Sequence, residues 1–112
     1  MALDFYIAHS IDAIQRADVP VGMSAELQEY IYKNRNNVDY DLKCLYDLDP
    51  YGDTVLGKDR MVQWIAVCAE ILGSDLLLHY SDIDEAVKTV TQLKEMCEKA
   101  IANNQSMISV GD

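Results

Sequence analysis

The sequence predicts an α+β fold, mostly helical, with about four helices packed on a small sheet that pairs the N- and C-terminal strands. Three observations carry this reading. Aromatic and β-branched residues gather in the opening stretch 2–8, where Phe5, Tyr6 and Ile7 adjoin. Apolar residues recur at helical spacing through 58–72 and 82–102. The closing Ser106-Met107-Ile108-Ser109-Val110 partly alternates polar with apolar, a strand pattern. A chain of 112 residues fits one domain, and with 50% hydrophobic residues it can bury a core without disulfide staples. No repeat, low-complexity tract or linker divides 1–112.

Taken in order, 2–8 reads as a strand, although Leu3, Ile7, Ile11 and Ile14 also fit a helical stripe. A short helical or irregular stretch follows to Ala17, and Pro20 and Gly22 break the chain. Ser24 is placed to cap a helix running to about Arg35 with Leu27 and Ile31 inward, and Asn34-Arg35-Asn36-Asn37 ends it. Asp39 caps a shorter helix around 40–47, in which Leu42, Leu45 and Tyr46 share a face. Asp49-Pro50-Tyr51-Gly52-Asp53 has turn composition, since proline presets φ and glycine permits a positive φ. Helix 58–72 turns Met61, Ile65, Cys68 and Leu72 inward and ends with Gly73 as its C′ residue. Ser81 caps helix 82–102, and Asp82, Asp84 and Glu85 fill its positive first turn. The inward stripe of that helix is Ile83, Val87, Val90, Leu93, Cys97 and Ile101, with Lys94–Glu98 and Glu95–Lys99 spaced for ion pairs outside. Asn103-Asn104 stops it. The two end strands lie far apart in sequence, so no hairpin turn sets their register.

Charge removes several function classes. The chain has 19 Asp+Glu against 9 Lys+Arg, a formal net charge of −10. Direct nucleic-acid binding needs a basic stripe, and an anionic membrane surface needs a polybasic segment; neither is present. The longest apolar run, 64–69, is too short to span a bilayer. The opening Met1-Ala2-Leu3-Asp4 has neither a basic n-region nor an apolar h-region, so no secretory signal is predicted. Cys44, Cys68 and Cys97 are odd in number, which predicts reduced thiols in a cytoplasm, buried as small hydrophobes.

Motifs for chemistry are weak. Counted as a calcium loop from Asp47, the stretch has Asp49 and Gly52 in place, but Tyr51 and Lys58 stand where an oxygen ligand and the bidentate glutamate belong. A structural turn fits it better. His9 and His79 are the sole imidazoles, without Cys-x-x-Cys or His-x-x-x-His spacing for zinc. His79, between Leu78 and Tyr80, reads as a half-buried packing residue. No glycine-rich phosphate cradle occurs. No catalytic residue, metal or cofactor is predicted, and the chain is expected not to be an enzyme.

The placement of charge is more informative than its total. Between 61 and 87 no Lys or Arg occurs, while Glu70, Asp75, Asp82, Asp84 and Glu85 do. Between 37 and 57, Asp39, Asp41, Asp47, Asp49 and Asp53 face Lys43 alone. Tyr40, Tyr46, Tyr51 and Tyr80 are interleaved. Acid steers a basic partner and tyrosine anchors the contact, which nominates Asp39, Tyr40, Asp41, Asp47, Tyr51, Asp53, Glu70, Asp75, Tyr80 and Asp82 as partner-binding. Solubility alone is the competing explanation of such acidic faces.

Three segments together resemble a known group. The opening Met1-Ala2-Leu3-Asp4-Phe5-Tyr6-Ile7, the central Asp49-Pro50-Tyr51-Gly52-Asp53-Thr54 with Met61-Val62-Gln63-Trp64-Ile65, and the closing Ile108-Ser109-Val110-Gly111-Asp112 resemble small bacterial immunity proteins of polymorphic toxin systems, including contact-dependent growth inhibition. The resemblance implies a cytoplasmic inhibitor that binds one cognate toxin domain and blocks its active site or an essential surface. Many such toxins are nucleases with basic substrate-binding faces, which an acidic, tyrosine-bearing chain complements. A motif shared across a family with diverse toxins suits a structural role better than a discriminating one. The alternative is a small acidic regulatory or adaptor domain whose protein partner is not a toxin.

Overall fold

The computed structural model describes residues 3–14, 20–48 and 51–111. Among these, β1 (Leu3–Ala8), β2 (Val21–Met23), α1 (Ala25–Lys33), α2 (Lys43–Tyr46), β3 (Asp53–Leu56), α3 (Lys58–Leu72), α4 (Ile83–Ala102) and β4 (Ser106–Gly111) follow in order. Short 3-10 turns lie at Ile11–Ala13 and Leu76–His79. The strands form one antiparallel sheet in the order β2-β1-β4-β3, and the helices pack on it. The α+β class and the pairing of the end strands both hold: β1 and β4 lie side by side from Leu3↔Gly111 to Ala8↔Ser106.

Period-two alternation turns Leu3, Phe5 and Ile7 of β1 toward the helices, with Met107 of β4 and Leu56 of β3 on the same face. α4 crosses β1, β2 and β4, while α3 lies against α4 and β3. Trp64, the single tryptophan, is fully buried at this junction and meets Phe5 edge-on, with ring centroids 5.4 Å apart. Cys97 of α4 and Met107 of β4 touch through their sulfurs at 3.7 Å.

Helix termini follow their sequence signals in part. The Ser24 hydroxyl accepts from Leu27 N at 3.1 Å and starts α1. Asn103-Asn104 stops α4 through a left-handed residue: Asn104 has φ 54°, and the Gln105 and Asn104 amides donate back to the carbonyls of Ala100 and Ile101 at 2.8 and 3.2 Å. That double bond pattern is a Schellman cap, which asparagine tolerates better than most non-glycine residues.

Several expectations are corrected. Gly22 does not break the chain but sits in β2 opposite Asp4, because a ready ladder on β1 outweighs the weak strand preference of a glycine. Asp53 opens β3 rather than closing a turn; Asp49 and Pro50 lie outside the described residues, as do 15–17 of the stretch expected to run to Ala17. α2 is shorter than expected, and Asp41 rather than Asp39 supports its start, accepting from Lys43 N at 2.8 Å. Asp82 rather than Ser81 caps α4, accepting from Glu85 N, while Ser81 donates to Glu26 at 3.1 Å. Gly73 ends α3 with an ordinary right-handed φ of −87°. The buried faces of both long helices are also rotated. α3 buries Trp64, Val67 and Ile71 beside Met61 and Cys68, leaving Ile65 and Leu72 half-buried. α4 buries Ala86, Thr89 and Ala100 with Val90, Leu93 and Cys97, leaving Ile83 and Ile101 half-buried and Val87 40% exposed. Small residues on α4 let it approach its neighbours closely, so the largest side chains do not mark the contact face.

The α1 cap gives a direct test. Ser24→Ala leaves an orphan amide at Leu27 and is expected to cost about 1 kcal/mol. Thermal unfolding followed by Trp64 fluorescence reads that loss as a midpoint lowered by roughly 4–8 °C.

Candidate functional site

An open cleft of about 710 Å³ separates the loop after α1 from the segment that follows α3. One wall is Tyr30, Asn34 and residues 36–40; the other is Ser74, Asp75, Leu76 and His79. Sequence dictates both walls. Asn34-Arg35-Asn36-Asn37 cannot continue a helix well, so the chain leaves α1 in turns held by side-chain amides. The Asn34 amide donates to Tyr30 O at 2.8 Å, and the Asn37 amide donates to Asn34 Oδ1 at 2.8 Å. Opposite, Gly73 ends α3 and the chain folds into the Leu76–His79 turn, which buries Leu76 and Leu77.

Two tyrosines join the walls. The Tyr30 hydroxyl donates to Leu76 O. The Tyr40 hydroxyl lies 2.9 Å from Ser74 Oγ. Ser74 gives its own proton to Ile71 O at 3.0 Å, so Tyr40 is the donor in that pair. Tyr80 packs edge-on against Tyr30 at 5.0 Å, and burial raises the Tyr30 hydroxyl pKa above its ordinary value of 10.0.

Among the described residues, no Lys or Arg lines the cleft. The nearby cations are engaged elsewhere: Lys33 pairs with Glu29 at 2.8 Å, and the Arg35 guanidinium sits 3.9 Å over the Tyr32 ring while donating to Tyr32 O at 2.7 Å. Asp39 and Asp75 are exposed, and neither carboxylate has a hydrogen-bond or ion-pair partner among the described residues. Asp75 precedes the 3-10 turn without capping it.

The fold thus brings part of the two acidic stretches together. Asp39 and Tyr40 from the first and Asp75 from the second share the cleft. Tyr80 flanks it through Tyr30, half-buried. The remaining nominated residues are distributed. Asp41 and Asp82 serve helix starts, and Asp47 is the exposed residue that ends α2. Glu70 is exposed on α3. Tyr51, 73% exposed, and Asp53 lie at β3, an edge of the sheet. His79 was expected to be half-buried; it is exposed on the cleft wall, because the burial of Leu76 and Leu77 in a tight turn turns Leu78 and His79 outward. Tyr30, the three asparagines and Ser74 carry no sequence signal for a site, since the asparagine run marks only a helix stop.

The three cysteines are buried, as expected, and free. Burial pushes their thiols up to about 11 for Cys44 and about 12 for Cys68 and Cys97, the reverse of an activated thiolate. Among the described residues, no group of three or more His, Cys, Asp or Glu is placed to hold a metal ion. No helix among them is long and apolar enough to cross a membrane. Compared with known proteins, the chain matches no protein-family model, no curated protein and no solved structure.

Two outcomes are expected from this geometry. Native thiols should resist a disulfide reagent at pH 8 and react fully in denaturant, with Cys44 the first to respond. Stability should fall as pH rises from about 9 toward 12, because unfolded thiols ionise near 9.0 while the folded ones hold their protons. Denaturant titrations across that range, compared with a Cys44→Ala variant, read the effect.

Proposed function

We propose that this protein is an immunity protein, a non-catalytic inhibitor that binds a basic toxin domain, a nuclease by preference, and covers its active or substrate-binding surface in the cytoplasm. The cleft is the observation that supports the reading most. A charge of −10 spread evenly over 6500 Å² of surface would give a standard contact face of ~800 Å² only about −1.2. Asp39 and Asp75 exceed that within one cleft, whose lining among the described residues holds no Lys or Arg. Carboxylates placed this way steer a basic partner over a Debye length of ~8–10 Å, and half-buried tyrosines supply contact area with little entropy to lose. Competition with the negatively charged substrate follows from charge: acid on the inhibitor occupies the surface that otherwise holds phosphate. The toxin identification itself is supported by the familial resemblance of the opening, central and closing segments.

Co-expression and affinity capture with the toxin domain encoded beside its gene test the proposal. A complex at low salt with relief of toxicity is expected; neither occurring refutes it. In the complex, Asp39→Asn with Asp75→Asn should slow association by about tenfold, with a shallower salt dependence, whereas Glu95→Gln on α4 should leave the rate within twofold. Stopped-flow association at several ionic strengths measures both.

A further inference from the structure

The outer edge of β3 presents backbone groups that the sheet does not use. In an antiparallel ladder, successive residues alternate between bonding to the neighbouring strand and pointing away from it. The Gly111 amide donates to Gly52 O at 2.9 Å, and the register runs on through Thr54↔Ser109 and Leu56↔Met107. Gly52, Thr54 and Leu56 therefore bond to β4, while Asp53 and Val55 aim their N–H and C=O groups outward. Among the described residues, none takes up these four groups. The edge is open to solvent: Val55 is 50% exposed, and Asp53 is exposed as well. The opposite edge differs, since β2 spans three residues and the same alternation leaves only Gly22 facing outward.

We infer that the β3 edge is a docking site for an extended segment of the partner, which adds to the sheet as a fifth, antiparallel strand. This inference rests on the proposed binding of a basic partner and specifies a contact separate from the cleft, at the opposite end of α3. Side chains on β3 define what the segment carries. Asp53 and Val55 point to one face of the sheet, Thr54 and Leu56 to the other. Val55 stands opposite the fully buried Ile108, so an apolar strip runs from the middle of the sheet to its rim. A β-branched residue opposite Val55 extends that strip, and an arginine or lysine opposite Asp53 meets the one charge on the strand. Lys58 and Arg60 lie beyond the strand in the first turn of α3, with Asp59 between them. A second copy of this chain is the poorer occupant. It brings a further −10, and a charge on an edge strand discourages self-pairing.

Hydrogen exchange and titration of the whole ¹⁵N-labelled protein test this. In the free protein, the Asp53 and Val55 amides should exchange at least about tenfold faster than those of Thr54 and Leu56. The probe is a disulfide-closed hairpin peptide whose outer strand reads Thr-Val-Thr-Arg-Thr, with its Val and Arg amides facing outward. It is expected to shift and protect the Asp53 and Val55 amides saturably, with a dissociation constant of about a millimolar. The same hairpin N-methylated at those two amides should leave the spectrum unchanged, and one with Glu for Arg should bind about fivefold more weakly. Asp53→Lys should reverse that charge preference. Val55→Pro should abolish binding yet keep a dispersed spectrum, because the N–H it removes makes no bond to β4. Protection of the Asp53 and Val55 amides in the free protein, or binding that survives N-methylation or Val55→Pro, overturns the inference. Protection that rises with protein concentration overturns it in favour of a second copy. A toxin complex in which those two amides still exchange freely also overturns it and leaves the proposed function standing. A hairpin seated on β3 with no toxin complex does the reverse.

Discussion

The fold depends on an antiparallel pairing between strands from opposite ends of the chain, β1 with β4, at the centre of the sheet. No hairpin sets that register, so packing must. A slip of one residue would turn Phe5 or Met107 away from the helices and lose their contacts with Trp64 and Cys97. The Schellman cap at Asn104 adds a local constraint, since it fixes the direction in which the chain leaves α4 and enters β4. The short strands β2 and β3 then need only attach to an existing ladder. This explains how two strands of only 3 and 4 residues form at all.

Sequence reading succeeded where one local signal sufficed. α3 was read at its observed bounds, since apolar spacing and a terminal glycine agree there, and Ser24 caps α1 as its position suggests. It failed where a neighbour decided the outcome. β2 and β3 exist because β1 and β4 offer backbone partners, and neither Val21-Gly22-Met23 nor Asp53-Thr54-Val55-Leu56 announces this alone. The rotated faces of α3 and α4 have the same origin. A helix touching two neighbours buries a wider arc than hydropathy spacing marks, and close approach favours alanine at positions the pattern ignores.

The acidic stretches show how far charge can be interpreted before a fold is known. Composition identified them but not their convergence. Three nominated residues meet in the cleft, and others support helix ends or lie on the sheet edge. The residues that convert a charged surface into a shaped one, Tyr30, Ser74 and the asparagines, are neutral. Each looked like ordinary helix or turn material. Tyr30 and Ser74 matter through hydrogen bonds across separations of 46 and 34 residues, which no window along the chain contains, while the asparagines shape the loop locally.

The central pairing also orders events during synthesis. A ribosome releases β1 first, and β4 emerges only after both long helices. Until then β1 has β2 on one side and an open row of backbone donors and acceptors on the other. The nascent chain therefore carries a half-built sheet while α3 and α4 are already long enough to pack together. Closure waits on β4 and succeeds only if β4 finds its slot before another chain does. Crowded polysomes making this protein would feel that competition first, and a high local concentration of incomplete chains is where mispaired copies would arise.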